Sequence, residues 1–146
     1  MADNYPRSAS PATGAQSGSG VRTAHYVPPL KFGLGGVPLD NEFEVVTDRD
    51  AYETLDAAWS SGVRYYDVSP WYGLGLAERR FGNYLHNKSR GEYIISSKVG
   101  KLLKASKQNN GKSNFPFSPS PNNVIFDYTA DGVRRSVEDS LQPWRA

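Results

Sequence analysis

The chain of 146 residues contains no cysteine and only two histidines. Without thiols it has no disulfide, no thiolate zinc site and no cysteine nucleophile. Two histidines leave little for a histidine metal cluster, so we expect no metal site. The 17 Lys+Arg and 15 Asp+Glu residues give a net charge of +2. This small charge excludes nucleic-acid binding driven by bulk electrostatics.

The chain also lacks long apolar runs. No segment approaches the roughly 20 apolar residues of a membrane-spanning helix. The N-terminus has no apolar segment of the kind found in secretory signal peptides. With the absence of cysteine, these features predict a cytoplasmic protein that has no membrane contact.

The N-terminal region differs in composition from the rest of the chain. Nine of the first 20 residues are Gly, Pro or Ser. Such a segment buries too little apolar surface to offset its ordering entropy. We therefore predict a disordered tail over residues 1–26 and a patterned body over residues 27–146.

The patterned body alternates between strand and helix signals. The first predicted strand runs into a glycine turn at 33–36, and a helix then extends from a capping box at 47–50 to Gly62. A strand at 63–68, a helix after Gly75 and a strand at 93–99 follow. A long loop at about 100–128 leads to a last helix, which is capped by Thr129 and has Val133, Val137 and Leu141 in line. Strands that alternate with helices predict right-handed parallel βα units.

The predicted long loop carries a lysine at every third position. Lys98, Lys101, Lys104 and Lys107 form this series. We interpret it as a solvated basic edge, because no aromatic stacking platform accompanies it as in a nucleic-acid site.

Three side chains are placed for chemistry at the carboxyl ends of the predicted strands. Asp67 lies near the end of the second strand, Tyr72 follows in the next loop, and Lys98 ends the third strand. Ligands of parallel βα folds bind at this edge, and neighbouring strands lie about 4.8 Å apart. An ammonium beside a phenol favours the phenolate. Tyr72 can therefore give a proton to a carbonyl oxygen while hydride reaches the carbon.

Simpler structural interpretations stay open from spacing alone. Asp67 can serve as a cap at a strand end, and Lys98 can be solvated. The glycine turn at 33–36 does not match the dinucleotide-binding fingerprint, because Pro38 occupies the position of the third glycine. A plain tight turn and a turn that admits a flat ring are equally compatible with it.

Several ordered motifs resemble the aldo-keto reductase superfamily. They lie at residues 32–36 (FGLGG), 66–73 (YDVSPWYG), 75–82 (GLAERRFG), 96–100 (SSKVG) and 127–136 (DYTADGVRRS). The last motif and the SPWYG form of the second are similar to the branch of aldose (fucose-type) and pyridoxal dehydrogenases. The resemblance covers about residues 31–141.

The resemblance implies a (β/α)8 barrel of the TIM type, NADP or NAD as cofactor, and interconversion of aldehyde or aldose carbonyls with alcohols. It implies Tyr72 as general acid–base, tuned by Lys98 and Asp67. It places Gly35, Gly36 and Asp67 at the cofactor, and Trp71 in the pocket for a small carbonyl or sugar substrate.

The sequence departs from the family at its end. The family's fourth strand ends in a catalytic histidine, whereas residues 142–146 (QPWRA) follow the third predicted helix. A complete barrel typically has about 250 residues. We therefore expect a barrel truncated to about its first three βα units, with little activity of its own. The alternative is a non-catalytic half-barrel that associates with itself or a second chain through an exposed sheet edge.

Overall fold

The structure is a computed structural model that describes residues 32–105, 117 and 120–144. The predicted tail at 1–26 and Lys107 lie outside these residues. A parallel sheet has the order β1-β2-β3, with β1 at Leu34–Gly35, β2 at Tyr65–Asp67 and β3 at Ile94–Ser96. Its register aligns Gly35 with Asp67 and Asp67 with Ser96. The carboxyl ends of all three strands therefore meet at one edge.

Three α-helices follow the strands, as the sequence predicts: α1 at Asp48–Ser60, α2 at Leu76–Leu85 and α3 at Ala130–Leu141. Both predicted threonine caps are confirmed. Thr47 Oγ1 accepts a hydrogen bond from Asp50 N at 3.2 Å, and Thr129 Oγ1 accepts one from Gly132 N at 3.1 Å. Each such cap typically contributes about 1 kcal/mol, so local sequence fixes where these helices begin.

The core lies between the sheet and the first two helices. Tyr66 and Val68 extend from β2 and its end, and both are fully buried, as is Phe81 of α2. The rings of Tyr66 and Phe81 meet edge to face with their centroids 5.7 Å apart. Helix α1 adds Ala51 and Leu55, both fully buried. Since each strand supplies only two or three residues, this packing is what holds the site edge in place.

The expected apolar face of α3 is placed differently. The residues that α3 buries are Gly132, Ser136 and Ser140. Val137 and Leu141 remain 43% and 37% exposed. With Val99, they line a cavity of about 140 Å³ that also reaches Ser97 and Lys98. The apolar line of α3 therefore borders the residues that follow β3 rather than a closed core.

The prediction of a loop throughout residues 100–128 is wrong at both ends of that segment. Strand β4 at Lys101–Ala105 pairs antiparallel with β5 at Asn122–Phe126. Both strands carry β-branched or aliphatic residues at their centres, which the Asn, Ser, Pro and Lys content of the segment obscured. The polypeptide between them lies mostly outside the described residues. Two strands thus stand between β3 and α3, beyond the carboxyl end of the sheet.

Helix lengths also bear on the membrane prediction. Among the helices of the described segments, none is long and apolar enough to cross a bilayer.

The edge of β3 away from β2 has no partner strand among the described residues. Association through that edge stays a prediction.

Candidate active site

A tight turn after β2 positions Tyr72. The backbone N–H of Tyr72 donates to Ser69 O at 3.1 Å. The next three residues all have left-handed backbone, with φ of 59° at Gly73, 51° at Leu74 and 92° at Gly75. This conformation is costly for leucine, and such strained residues concentrate at functional sites. The turn sets Tyr72, half-buried, at the carboxyl edge of the sheet.

Asp67 and Lys98 form an ion pair beside this turn. Lys98 Nζ lies 2.7 Å from Asp67 Oδ2 and donates to Val68 O at 3.1 Å. The other carboxylate oxygen accepts a hydrogen bond from Ser96 Oγ at 2.7 Å. Since Asp67 and Ser96 are register partners, the parallel pairing of β2 with β3 holds the carboxylate in one orientation.

The Lys98 ammonium lies between this carboxylate and the phenol. Its Nζ is 4.7 Å from the centre of the Tyr72 ring. Burial lowers the pKa of Lys98, but the hydrogen bonds to Asp67 and Tyr72 and the charges of these groups raise it by more. The pKa of Lys98 therefore lies above its ordinary value. Lys98 is therefore charged at neutral pH. The structure thus brings Asp67, Tyr72 and Lys98 together, as the strand order predicts.

The loop before α1 packs against the Tyr72 turn. Asp40 is fully buried there, and its Oδ1 accepts a hydrogen bond from Glu42 N at 2.6 Å. A side chain at Gly73 would collide with the carbonyl oxygen of Asp40. Desolvation raises the pKa of the Asp40 carboxyl to about 6, although backbone hydrogen bonds from Glu42 and Gly73 oppose the rise. Asp40 is thus a buried, titratable support for the turn.

This burial predicts a pH dependence of stability. Between the ordinary value of 3.8 and about 6, the folded chain holds a proton on Asp40 that the unfolded chain has released. Stability therefore falls as pH rises through that window. We expect Asp40→Asn, which cannot ionise, to be more stable than the parent above pH 6, by on the order of 2 kcal/mol. Urea unfolding at several pH values measures this difference.

The matched control for this prediction is Glu138→Gln, on the exposed surface of α3. It should unfold like the parent chain at every pH. An Asp40→Asn variant that keeps the parent's loss of stability between pH 4 and 6 would contradict the assignment to Asp40.

The two glycines predicted at the cofactor have different surroundings. A Cβ added at Gly35 would meet nothing within 4 Å, so the surface beside Asp67 is open to a flat ring. A Cβ at Gly36 would lie 3.1 Å from Phe81 and from Val68. Gly36 N also donates to Asp67 O at 2.8 Å. Gly35 therefore leaves room for a flat ring at this edge, while Gly36 is needed for packing.

Sequence reasoning missed several groups around the site. Ser96 orients Asp67, and Ser97 Oγ donates to Glu78 Oε1 of α2 at 2.8 Å. Burial raises the pKa of Glu78. Both serines directly precede Lys98 in the sequence, and this position next to a candidate site residue could have indicated their role. Nothing in the sequence pattern pointed to Phe126, whose ring lies 6.5 Å from that of Trp71.

The chain resembles known proteins in sequence and in fold. The chain is 36% identical over 120 residues to a D-threo-aldose 1-dehydrogenase from a Pseudomonas species, and 37% identical over 122 residues to a pyridoxal 4-dehydrogenase from Microbacterium luteolum. These alignments cover 80% and 75% of this chain but only 36% and 34% of the relatives. The chain thus spans about a third of the length of these curated relatives.

Solved structures that resemble the chain are also enzymes of this kind by their descriptions, and the chain again covers about a third of each. A structure described as an aldo-keto reductase from Pseudomonas aeruginosa has a TM-score of 0.53 and 31% identity, and covers 77% of this chain and 35% of its own. A glycerol dehydrogenase from Gluconobacter oxydans has a TM-score of 0.57 at 23% identity, over 83% of this chain and 35% of its own. These neighbours confirm the predicted fold class, a partial (β/α)8 barrel.

A sequence model of the aldo/keto reductase family matches residues 31–145, nearly the whole patterned body. The match includes β1, the Tyr72 turn, the Asp67–Lys98 pair and all three helices. The chain therefore belongs to the aldo/keto reductase family.

Proposed function

We propose that the protein is an NAD(P)-dependent oxidoreductase that interconverts the carbonyl of an aldehyde or aldose with an alcohol. The observation that supports this most strongly is the Lys98 ammonium held between Asp67 and the Tyr72 ring. Family membership supports an oxidoreductase, and the relatives are named as dehydrogenases of an aldose and of pyridoxal. An aldose is our proposed substrate.

The chain's own residues move the proton. In reduction, the Tyr72 hydroxyl donates its proton to the carbonyl oxygen. The adjacent Lys98 charge stabilises the phenolate that remains, and Asp67 keeps the ammonium charged and oriented. In oxidation, the phenolate accepts the proton of the substrate hydroxyl. When bound, a nicotinamide cofactor would supply or accept the hydride at the carbon.

The open surface at Gly35 supports placing the nicotinamide next to Asp67. Such a ring would lie at the same edge of the sheet as Tyr72. Binding there would exclude water from the reacting carbon, which strengthens the effect of the Lys98 charge.

Lys98→Met tests this function, because methionine keeps most of the length of the side chain and removes its charge. We expect kcat for aldose oxidation to fall by about a hundredfold or more, because the phenolate loses its counter-charge. The measurement is the rate of NADH or NADPH formation at 340 nm over a panel of aldoses.

Lys88→Met is the matched control, since Lys88 Nζ lies 4.9 Å from the Trp59 ring, away from the site. It should retain the parent kcat. Equal rates for the parent and the Lys98→Met variant would exclude the proposed role of Lys98. A parent protein that oxidises other alcohols but no aldose would exclude the substrate class.

A further inference from the structure

Three aromatic side chains form a continuous surface beside the candidate site. The Trp71 and Phe126 rings have their centroids 6.5 Å apart, and the Phe126 and Tyr128 rings are stacked at 6.4 Å. We call these three residues the aromatic ledge. Phe126 and Tyr128 are 60% and 68% exposed. Contiguous exposed apolar surface is a feature of ligand-binding sites.

Lys101 projects over the ledge, so the prediction that no aromatic platform accompanies the lysine series is wrong at this lysine. Its Nζ lies 4.3 Å from the centre of the Trp71 ring and 5.9 Å from that of Phe126, its register partner across the hairpin. Among the described residues, Lys101 forms no ion pair with a carboxylate. The ammonium therefore has donors to offer a ligand lying on the rings.

The ledge is fixed to both sides of the candidate site. Trp71 directly precedes Tyr72. Leu103 of β4 packs close to Gly75 in the Tyr72 turn, since a Cβ added at Gly75 would lie 3.1 Å from the Leu103 side chain. On the other side, the Tyr128 ring packs on Gly100, two residues after Lys98. The β4–β5 hairpin thus extends the surface that begins at Tyr72 and Lys98.

We propose that the aromatic ledge, with Lys101, binds the non-reacting part of a sugar substrate. Aromatic faces pack against the C–H face of a sugar ring, and an ammonium with free donors suits its hydroxyl groups. The occupant follows from continuity: the ledge starts at the residue before the candidate acid. The inference rests on the proposed function, and it makes Phe126 and Lys101 residues that determine specificity.

Phe126→Ala in the complete protein tests the ledge. We expect its KM for the aldose to rise by about tenfold with kcat changed less than about twofold, since the ring binds the substrate but takes no part in proton transfer. Phe32→Ala is the matched control, because Phe32 is 79% exposed and lies before the amino end of β1. It should keep the parent KM.

A second measurement separates the ledge from the chemistry. The methyl glycosides of the same sugars have a blocked anomeric carbon, and calorimetry measures their affinity without turnover. We expect Phe126→Ala and Lys101→Ala each to weaken that affinity. Turnover with an unchanged KM in Phe126→Ala would overturn the ledge and leave the proposed function. Glycoside binding that depends on Phe126, without oxidation, would overturn the function and leave the ledge. Glycoside binding absent from the parent protein would overturn the ledge.

Discussion

Tyr72→Phe is expected to lower kcat for aldose oxidation by about 10²- to 10⁴-fold, the usual contribution of a general acid–base. Phenylalanine keeps the ring that lies 4.7 Å from Lys98 Nζ, so the turn and the ion pair stay in place. What is lost is the proton that moves to and from the substrate oxygen. Steady-state rates of NAD(P)H formation measure the loss, and the thermal midpoint should stay within about 2 °C of the parent.

The control is Tyr52→Phe, which removes a hydroxyl that accepts a hydrogen bond from Asn83 between α1 and α2. That variant should turn over at the parent rate. Full activity in Tyr72→Phe would show that another group transfers the proton, and our assignment would then be wrong.

Arg80→Leu is expected to have the largest effect on stability, a loss of about 3 kcal/mol. Arg80 is only 3% exposed. Its guanidinium donates to the carbonyl oxygens of Leu39 and Val46 at 2.7 Å each, and pairs with Asp48 at 2.8 Å. Leucine would remove the donor from both carbonyls, of which that of Leu39 is buried, and release the loop that supports the Tyr72 turn. Urea denaturation measures the change in unfolding free energy.

Arg79→Leu is the matched control, because the neighbouring Arg79 is exposed on the same helix. It should change stability by no more than about 0.5 kcal/mol. Limited proteolysis should also cut the Arg80→Leu variant faster within residues 40–46. A variant as stable as the parent would mean that the loop is held by its own packing.

The alternating elements were predictable because their local signals are strong. Thr47 and Thr129 begin helices by accepting hydrogen bonds within the first turn, and such signals depend on a few adjacent residues. The burial of Phe81 and Leu85 follows from helical spacing alone. The proximity of Asp67 and Lys98 also followed, because consecutive βα units place their strands side by side.

The remainder depends on contacts between distant parts of the chain. A charged residue such as Arg80 is expected at the surface, and only the carbonyls of the loop at 39–46 account for its burial. The apolar line of α3 indicates a buried face, yet Val137 is 43% exposed. Strands β4 and β5 pair with each other across a polar segment, so neither shows the pattern of a strand in the main sheet.

Transfer of deuterium from the substrate is the most direct test of hydride chemistry at this site. The protein is incubated with oxidised NAD or NADP and an aldose that carries deuterium on its anomeric carbon. We predict that the nicotinamide product contains one deuterium, detected by NMR or mass spectrometry, and that Tyr72→Phe yields almost none in the same time. A reduced nicotinamide that forms without deuterium would contradict the proposed reaction.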